Sequence, residues 1–485
     1  MKGVRKNSLM WLAIGAFTCA VPWVSLAQFP EDALRFATPG LGVGARALGM
    51  GNAYTGVASD YSALFWNPAG LAQIEHGEFS FGLSHLAYKD QSMFLGTSQN
   101  YTNNSTALNS LGVVLPVPVT RGSLVFAFGY NRQSNFTTGV SFEAFNPTSS
   151  ILQTYNRNGS AVNGTPSGVA WELYLADTVR NAQRQRIYYS PIINRVTQLG
   201  KVLEGGGLNN WSIGGAMDIA KNVSVGASLN YSSGTYKYDR SYKEQDNANI
   251  YTSTVAGSPL QFDQFTQDDM VESDLSGFNA KLGLLYRVPD RFRFGINAKS
   301  PSVLQVKETF GSTYKARFDN GDVVAPDPFT ETGSYDVTTP WVFSAGASVI
   351  LSSLVLSGDI EYTDWSQLEF RNANADVLAL NKDMKDLFRG TLNYRAGGEY
   401  DITQAGVRVR GGFIYNPSAF KGDPTDFDQK YFTAGLGFLL SETTMIDLAF
   451  AHGWWKTYRY NYSGSPRVDE MVSTNNFGLT FSYRF

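Results

Sequence analysis

Three histidines, His76, His85 and His452, are the only imidazoles in a chain of 485 residues. A zinc or general-base site needs its ligands at set intervals, and no HExxH or comparable spacing relates these three. The single cysteine, Cys19, has no partner thiol, so neither a disulfide framework nor a cysteine-based metal site can form. His85 and His452 could each face an interior and serve a Ser-His dyad at a rim, yet no motif marks either for that chemistry. Gly42-x-Gly44-x-x-Ala47, with Asp60 beyond it, matches a relaxed dinucleotide fingerprint. That fingerprint works at a strand-to-helix turn, and no strand pattern precedes Gly42. Two acidic stretches, Asp319-Asn320-Gly321-Asp322 and Asp423-Pro424-Thr425-Asp426-Phe427-Asp428, have the oxygen ligands for Ca²⁺ or for bridging lipopolysaccharide through divalent ions. A solvated loop has the same composition. The residues thus predict no enzyme, no cofactor and no metal centre.

Charges placed by strand periodicity form a different group. Around 354–363, Val355, Ser357, Asp359, Glu361 and Thr363 alternate with Leu354, Leu356, Gly358, Ile360 and Tyr362. Near 391–400, Asn393, Arg395 and Glu399 oppose Leu392, Tyr394, Ala396 and Tyr400. Arg408 and Arg410 take the polar side of the next strand. If the apolar faces look outward, Asp359, Glu361, Arg395, Glu399, Arg408 and Arg410 share an interior. There they would pair with one another, hold a plug, or, for an arginine, meet a substrate carboxylate.

The elements that must position these charges are strands. Strict alternation also runs through Val223–Tyr231 and through Phe477, Leu479, Phe481, Tyr483 and Phe485. Strands are expected at about 78–88, 107–118, 121–131, 209–219, 222–238, 274–288, 291–312, 340–351, 353–364, 389–400, 405–416, 430–440, 443–460 and 474–485. Ser300-Pro301-Ser302 reads as a bend within one long strand. Leu115-Pro116-Val117-Pro118 ends an early strand and is a place where pairing could be disturbed. The connections alternate between long ones (89–106, 132–208, 239–273, 313–339, 365–388, 417–429, 461–473) and turns of a few residues. An even strand number with short periplasmic turns and long extracellular loops is the layout of a closed antiparallel transmembrane β-barrel. Within 132–208, Trp171 to Arg184 has a helical look, suited either to a cap on the mouth or to a variable surface loop.

Composition agrees. Aromatics are 14% and charged residues only 17%, a profile of girdled β-structure. Residues 1–27 read as a secretory signal, with Lys2, Arg5 and Lys6 before an apolar run and Ser25-Leu26-Ala27 before the cut, leaving Gln28 first. The apolar run is shorter than the ~20 residues a spanning helix needs. Losing the signal takes the formal charge from −3 to −6, with no basic stripe for nucleic acid.

Between signal and first strand lies a thread poor in large side chains. From residue 40 to 70, seven residues are Gly and six are Ala. Such a segment suits close passage of backbone against backbone. Asn67-Pro68 stiffens it, because proline fixes its own φ and pushes the preceding residue towards extended geometry. We read residues 28–76 as a plug, or hatch, for a barrel formed by 77–485.

The stretch Gly44-Ala45-Arg46-Ala47-Leu48-Gly49-Met50-Gly51, with Ala58-Ser59-Asp60-Tyr61-Ser62-Ala63-Leu64-Phe65-Trp66-Asn67-Pro68-Ala69-Gly70-Leu71, resembles the N-terminal hatch of FadL/TodX-type outer-membrane transporters. Asp359–Ser366, Arg410–Ser418 and the closing Tyr483-Arg484-Phe485 resemble later parts of the same family. The resemblance implies an all-β, 14-stranded barrel in the outer membrane of a Gram-negative cell, its lumen filled by the hatch. It implies passive uptake of hydrophobic small molecules, long-chain fatty acids or aromatic hydrocarbons, that leave sideways through a gap in the wall. Gly44, Arg46, Gly49, Gly51, Asn67, Pro68 and Ala69 would be the hatch and gating residues. Partners would be the apolar ligand, outer-membrane lipid and lipopolysaccharide, with the chain a monomer. The same fold in PorV-like shuttles of type IX secretion offers the alternative of a protein cargo.

Overall fold

The computed structural model describes residues 29–155, 157–158, 166–180, 182–184, 186–252 and 261–485. The expected signal, its cut after Ala27 and the first hatch residue lie outside them. Fourteen antiparallel staves close a barrel. They are β1 (Glu78–Phe94), β2 (Thr97–Val117), β3 (Leu124–Asn135, continued by Thr138–Asn146), β4 (Val196–Ala220), β5 (Val223–Gln245), β6 (Phe262–Val288) and β7 (Phe292–Lys299, continued by Val303–Phe318). The second half is β8 (Phe329–Thr338, continued by Val342–Leu351), β9 (Leu354–Asp364), β10 (Gly390–Ile402), β11 (Val407–Asn416), β12 (Gln429–Leu439), β13 (Thr444–Tyr460) and β14 (Arg467–Arg484). Each pairs with its neighbours in chain order, and β1 pairs with β14 from Glu78↔Arg484 to Phe94↔Val468, which closes the sheet. Closure satisfies the backbone where no water can.

The alternation read from sequence becomes the two faces of this wall. Leu229, Phe278 and Leu282 point outward with about two-thirds of their surface open (65%, 69% and 66%), which in a membrane is lipid contact. Their neighbours Ser228, Asn230, Asn279 and Lys281 are buried inside. The expected bend at Ser300-Pro301-Ser302 interrupts β7. It is matched in β8 by Thr339-Pro340-Trp341, and the two breaks bond one another through Ser302 N to Thr339 Oγ1 (2.8 Å) and Thr339 N to Ser302 O (2.9 Å).

Four expectations are corrected. Residues 89–106 are not a loop. They are the upper halves of β1 and β2, joined at Leu95-Gly96, where both residues have positive φ (48° and 86°). The loop expected over 132–208 narrows to 147–195, and that over 239–273 to 246–261, because β3 to β6 run on above the apolar band. Once a strand leaves lipid both its faces are wet, and its sequence becomes as polar as a loop. The helix expected from Trp171 to Arg184 is displaced to α4 (Pro166–Glu172), and residues 177–180 pair with 186–189 instead. Leu173, Leu175 and Ala176 are buried in an apolar cap under Phe94, Phe142 and Phe262.

Inside the barrel lie α1 (Pro30–Ala37), α2 (Ala45–Gly49), α3 (Ala63–Trp66) and a 3₁₀ turn over Pro68–Gln73. In α1, Pro30 occupies the first turn, where its missing N–H costs nothing, and Asp32 accepts the Phe29 N–H at 2.8 Å. Helix α1 stands above the rest. Phe36 packs edge-on to Phe136 and Tyr236 in a core shared with Val377 and Met384 of α5 (Ala375–Leu387), which crosses the long-loop end.

Candidate functional site

The lower lumen-filling segment rests on a belt of wall glycines. A Cβ at Gly397 would lie 2.0 Å from Met50 O, at Gly412 2.4 Å from Gly51 N, at Gly226 2.4 Å from Ala69 N and at Gly283 2.1 Å from Asn67 Oδ1. Backbone therefore packs directly on backbone. The fit is reciprocal: a Cβ on Gly49 would meet Gly435 Cα at 3.0 Å, and one on Gly51 would meet Ala396 O at 2.6 Å. Gly51 also has φ 61°, which a side chain would strain.

Charge fixes the segment laterally. Arg46 forks the Glu399 carboxylate through Nε (2.9 Å) and Nη2 (2.8 Å), and its Nη1 reaches Ser59 Oγ (3.2 Å). Arg410 donates to Glu399 at 2.6 Å and to Asp447 at 2.6 Å. Burial alone would lower the Arg46 guanidinium, but Glu399, Tyr54 and Asp60 hold it well above its ordinary value, so it stays charged. Asp359 takes a different task. Its Oδ2 accepts the N–H groups of Tyr54 (2.8 Å) and Thr55 (2.7 Å), tying hatch backbone to β9. Asn67 spans the same gap, donating to Thr55 O (2.9 Å) and to Leu284 O (3.2 Å) while accepting from Ala69 N (3.2 Å).

Above this disc is a cavity with about 980 Å³ of atom-free space, its open mouth included. Phe65 and Trp66 form its apolar floor, and Asn52, Lys281, Lys299, Glu361 and Arg395 line it. Lys281 and Lys299 stand directly opposite in the β6–β7 register. Lys281 Nζ donates to the Phe65 carbonyl and lies 4.2 Å from that ring's centroid. Glu361 is committed to Arg395 (2.8 Å), Asn393 (3.2 Å) and Ser344 (3.2 Å). Among the described residues, neither lysine has a carboxylate within 4 Å. Like charges placed opposite in a sheet destabilise it, so the pair stands against the fold's own interest.

The ladder between β2 and β3 is cut short. β2 and β3 share a ladder only from Ser110↔Asn131 to Val117↔Leu124. Above it, β2 residues Thr97–Leu108 pair with β1 alone and β3 residues Thr138–Asn146 with β4 alone, and only side chains cross between them: Asn103 Nδ2 donates to Thr138 O (2.9 Å) and Ser141 Oγ to Gln99 Oε1 (3.0 Å). The Pro116 end, where disturbance was expected, is intact: Pro116 pairs with Val125. The opening lies at the other end of the strand. Tyr61 of the hatch sits where the ladder stops, its hydroxyl donating towards Leu111 O (3.3 Å) and Tyr130 O (3.2 Å).

A closed barrel of this kind also occurs in known proteins. The family model for outer membrane transport proteins (OMPP1/FadL/TodX) matches residues 208–485. The chain belongs to this family. A 47 kDa outer membrane protein of Pasteurella multocida (strain Pm70) is 26% identical over 231 residues, 44% of this chain and 52% of that protein. The chain thus spans about half the length of that curated relative. The P. putida toluene transporter TodX shares 14% identity, with TM-score 0.54 over 92% of this chain and 99% of that one. A Pseudomonas aeruginosa FadL homologue shares 14%, with TM-score 0.56 over 93% and 99%. At such identity the likeness is one of fold. The family match begins within β4, so it covers the wall from there on and neither the hatch nor β1 to β3.

For this FadL/TodX-type barrel, the six interior charges divide. Glu399 and Arg410 hold Arg46, Asp359 caps hatch backbone, and Glu361 with Arg395 lines the cavity. Arg408 stands apart, bonded to Asp401 (2.9 Å) near the short-turn end, so it joins none of the three groups. His85 and His452 face outward, contrary to an interior role: His85 bonds Thr106 (2.7 Å) beside Phe477, and His452 bonds Asn475 (2.9 Å) and stacks on Trp454. His76 is exposed. The acidic loops spend their oxygens locally, Asp428 on Tyr415 and Ser418, Asp423 on Ser418, Asp426 on Lys456. Among the described residues no group of three or more His, Cys, Asp or Glu could hold a metal ion. Missed from sequence were Asp447, Lys281, Lys299 and Asn109.

Proposed function

We propose that the chain is a passive outer-membrane route for amphiphiles with an apolar body and an anionic head, with long-chain fatty acids as the fitting class. The facing pair Lys281–Lys299 carries this reading. With Arg395 beside them, these cations outnumber Glu361, and a carboxylate entering the cavity would relieve their mutual repulsion. Phe65 and Trp66 offer the apolar body a floor, and a neutral aromatic hydrocarbon would leave the cations unanswered. The toluene transport named for one structural relative is therefore the less fitting cargo here. The hatch, seated in the lumen by Gly44, Arg46, Gly49, Gly51, Asn67, Pro68 and Ala69, gates the route. Exit runs through the β2–β3 seam into the bilayer, where an apolar molecule is more stable than in a water-filled pore. No coupled energy source and no chemical step is assigned to the barrel.

The test is uptake of labelled oleate and of labelled toluene by Gram-negative cells lacking their own carriers, with and without this chain. Oleate uptake should rise on expression and toluene uptake should not. Folded protein in the outer membrane with oleate uptake unchanged would overturn the reading.

A further inference from the structure

Two cavities meet at one thin partition. Gly40, Leu41 and Gln133 line both the amphiphile cavity and a second space of about 570 Å³, which borders the open seam at Asn109 and Arg132–Asn135. Cargo passing from the first to the seam must displace the chain segment 38–44.

That segment is held differently from the rest of the hatch. Residues 45–74 are fixed by the Arg46–Glu399–Arg410 ion pairs, by Asp359 and by backbone pressed on wall glycines. Within 38–44, Val43 is the one buried large apolar side chain. Gly42 also lies against the Trp66 ring, where a Cβ would come within 2.4 Å, and the remaining ties are hydrogen bonds. Gly40 N donates to Gln133 O (2.9 Å), and Ser134 Oγ to Thr38 O (2.9 Å), both on β3. Asn52 donates to Leu41 O (2.7 Å) and Trp66 to Val43 O (2.9 Å) from the hatch itself. On the β2 side a single residue serves. Asn109 Oδ1 accepts from Gly44 N (3.1 Å) and its Nδ2 donates to Gly42 O (3.1 Å). Water can replace such bonds at small net cost, whereas buried ion pairs cannot be so exchanged.

Asn109 reaches inward because the β1–β2 register slips beside it: Leu83 pairs with Leu108 and Gly82 with Ser110, so Asn109 is an extra, unpaired residue. Bulges of this kind re-aim a side chain. Gly42 and Gly44 have φ of 80° and 90°, turning a carbonyl and an N–H towards the same amide. The asparagine amide carries its acceptor and its donor on separate atoms of one short side chain, so it meets both groups at once.

We propose that the hatch consists of two mechanical parts, an anchored disc (residues 45–74) and a strap (residues 38–44) that swings from the seam, with Asn109 as its latch on the wall. Asn109 is a positioning residue: it holds the partition and touches no cargo. The proposal rests on the uptake reading above, and one measurement below is independent of it.

The first measurement is a tether. An ideal Cβ at Gly40 lies 3.6 Å from Ser134 Cα, and Gly40 has no positive φ, so G40C/S134C can bridge strap to β3. In the full-length protein, oxidation should leave oleate binding within about twofold and cut oleate transfer to vesicles by about tenfold or more, with reductant restoring it. Transfer unchanged by a quantitative disulfide would overturn the proposal. The second measurement needs no cargo. With Leu41→Cys as the reporter, Asn109→Ala should raise its labelling by a soluble thiol reagent about tenfold, since two of the strap's bonds are lost. Asn109→Gln should recover part of the protection, and heat-modifiable gel mobility identifies the folded protein. Equal labelling in folded Asn109→Ala and parent would overturn the latch even if oleate is not the cargo. Oleate transfer absent from the untethered protein, with labelling responding as stated, would sink the uptake reading and leave the latch standing.

Discussion

Arg46 of the hatch and Glu399 of β10 form a two-pronged ion pair, and Arg410 binds the same carboxylate from β11. The carboxylate is thus shared by two guanidiniums, one of them fully buried. Removing it takes the shared partner from both, leaving Arg410 to Asp447 and Arg46 to Asp60 at 3.8 Å, whereas removing Arg46 leaves Glu399 still paired with Arg410. Glu399→Ala should therefore cost about 3–5 kcal/mol, the range for breaking a buried pair from one side. Arg46→Met should cost about 1.5–3 kcal/mol, the range for hydrogen bonds to a charged group. Urea unfolding of the purified barrel measures both. Equal losses would mean that Arg410 and Glu399 do not act as one unit with the hatch.

The glycine belt makes a second ordering. A Cβ at Gly397 or Gly412 would enter hatch backbone at 2.0 and 2.4 Å, while one at Gly411, the next residue on the outer face, meets nothing nearer than 3.9 Å. Gly397→Ala and Gly412→Ala should each destabilise the folded barrel by about 2 kcal/mol or more, as overpacking against unyielding backbone does. Gly411→Ala should stay within about 0.5 kcal/mol. Thermal loss of the compact gel form compares the three, and a damaging Gly411→Ala would show that wall rigidity rather than hatch seating sets the outcome.

Lys281 and Lys299 predict opposite effects on two measurements. Replacing Lys299 by methionine relieves a like-charge pair without removing the Lys281–Phe65 bond, and should stabilise the barrel by roughly 0.2–1 kcal/mol. The same change should weaken oleate binding about tenfold, near the loss of one charge-assisted contact, and leave oleyl alcohol unaffected. Titration of each ligand into detergent-solubilised protein gives the comparison. Parallel weakening of acid and alcohol would remove the lysines from head-group recognition.

Much of this was legible in the chain before folding. Parity placed Asp359, Glu361, Arg395, Glu399 and Arg410 on the inner face, because in a lipid-facing wall the apolar residues leave the polar ones only one side. Parity said nothing of partners, since these depend on register between strands far apart in sequence. Lys281 and Lys299 therefore read as two unrelated cations, and Asp447 as one acid in an apolar run. Asn109 left a faint trace. Leu111, Val113 and Leu115 share one parity and Leu108 and Thr106 the other, so the outward face changes sign at the bulge. Beyond that point both faces of β2 are polar, and a strand there looks like a loop. His85 and His452 were misplaced for a related reason: each lies near the upper rim of the apolar band, where outward positions accept an imidazole beside Phe477 or Trp454.

The long-loop end supplies the last prediction. Phe36 of α1 meets Phe136 at 6.0 Å and Tyr236 at 5.7 Å between ring centroids, edge-on in both cases, within the core that α5 closes from above. The plug therefore blocks the lumen twice, with the glycine-seated disc below and an aromatic contact above. The two are separable because α1 is joined to the disc only through residues 38–44. Phe36→Ala removes a fully buried ring, at a cost of about 3–5 kcal/mol if the core cannot collapse around it. That exceeds what one eight-residue helix gains by forming alone, so α1 should leave its seat while the Arg46–Glu399 anchor holds. The expected outcome is faster oleate binding from the long-loop side with barrel unfolding little changed, since the disc and wall are untouched. Phe29→Ala is the control, its ring being 58% exposed and outside the core. Stopped-flow quenching on oleate addition separates the cases. An unchanged association rate in Phe36→Ala would mean that cargo reaches the cavity by a path that does not pass α1.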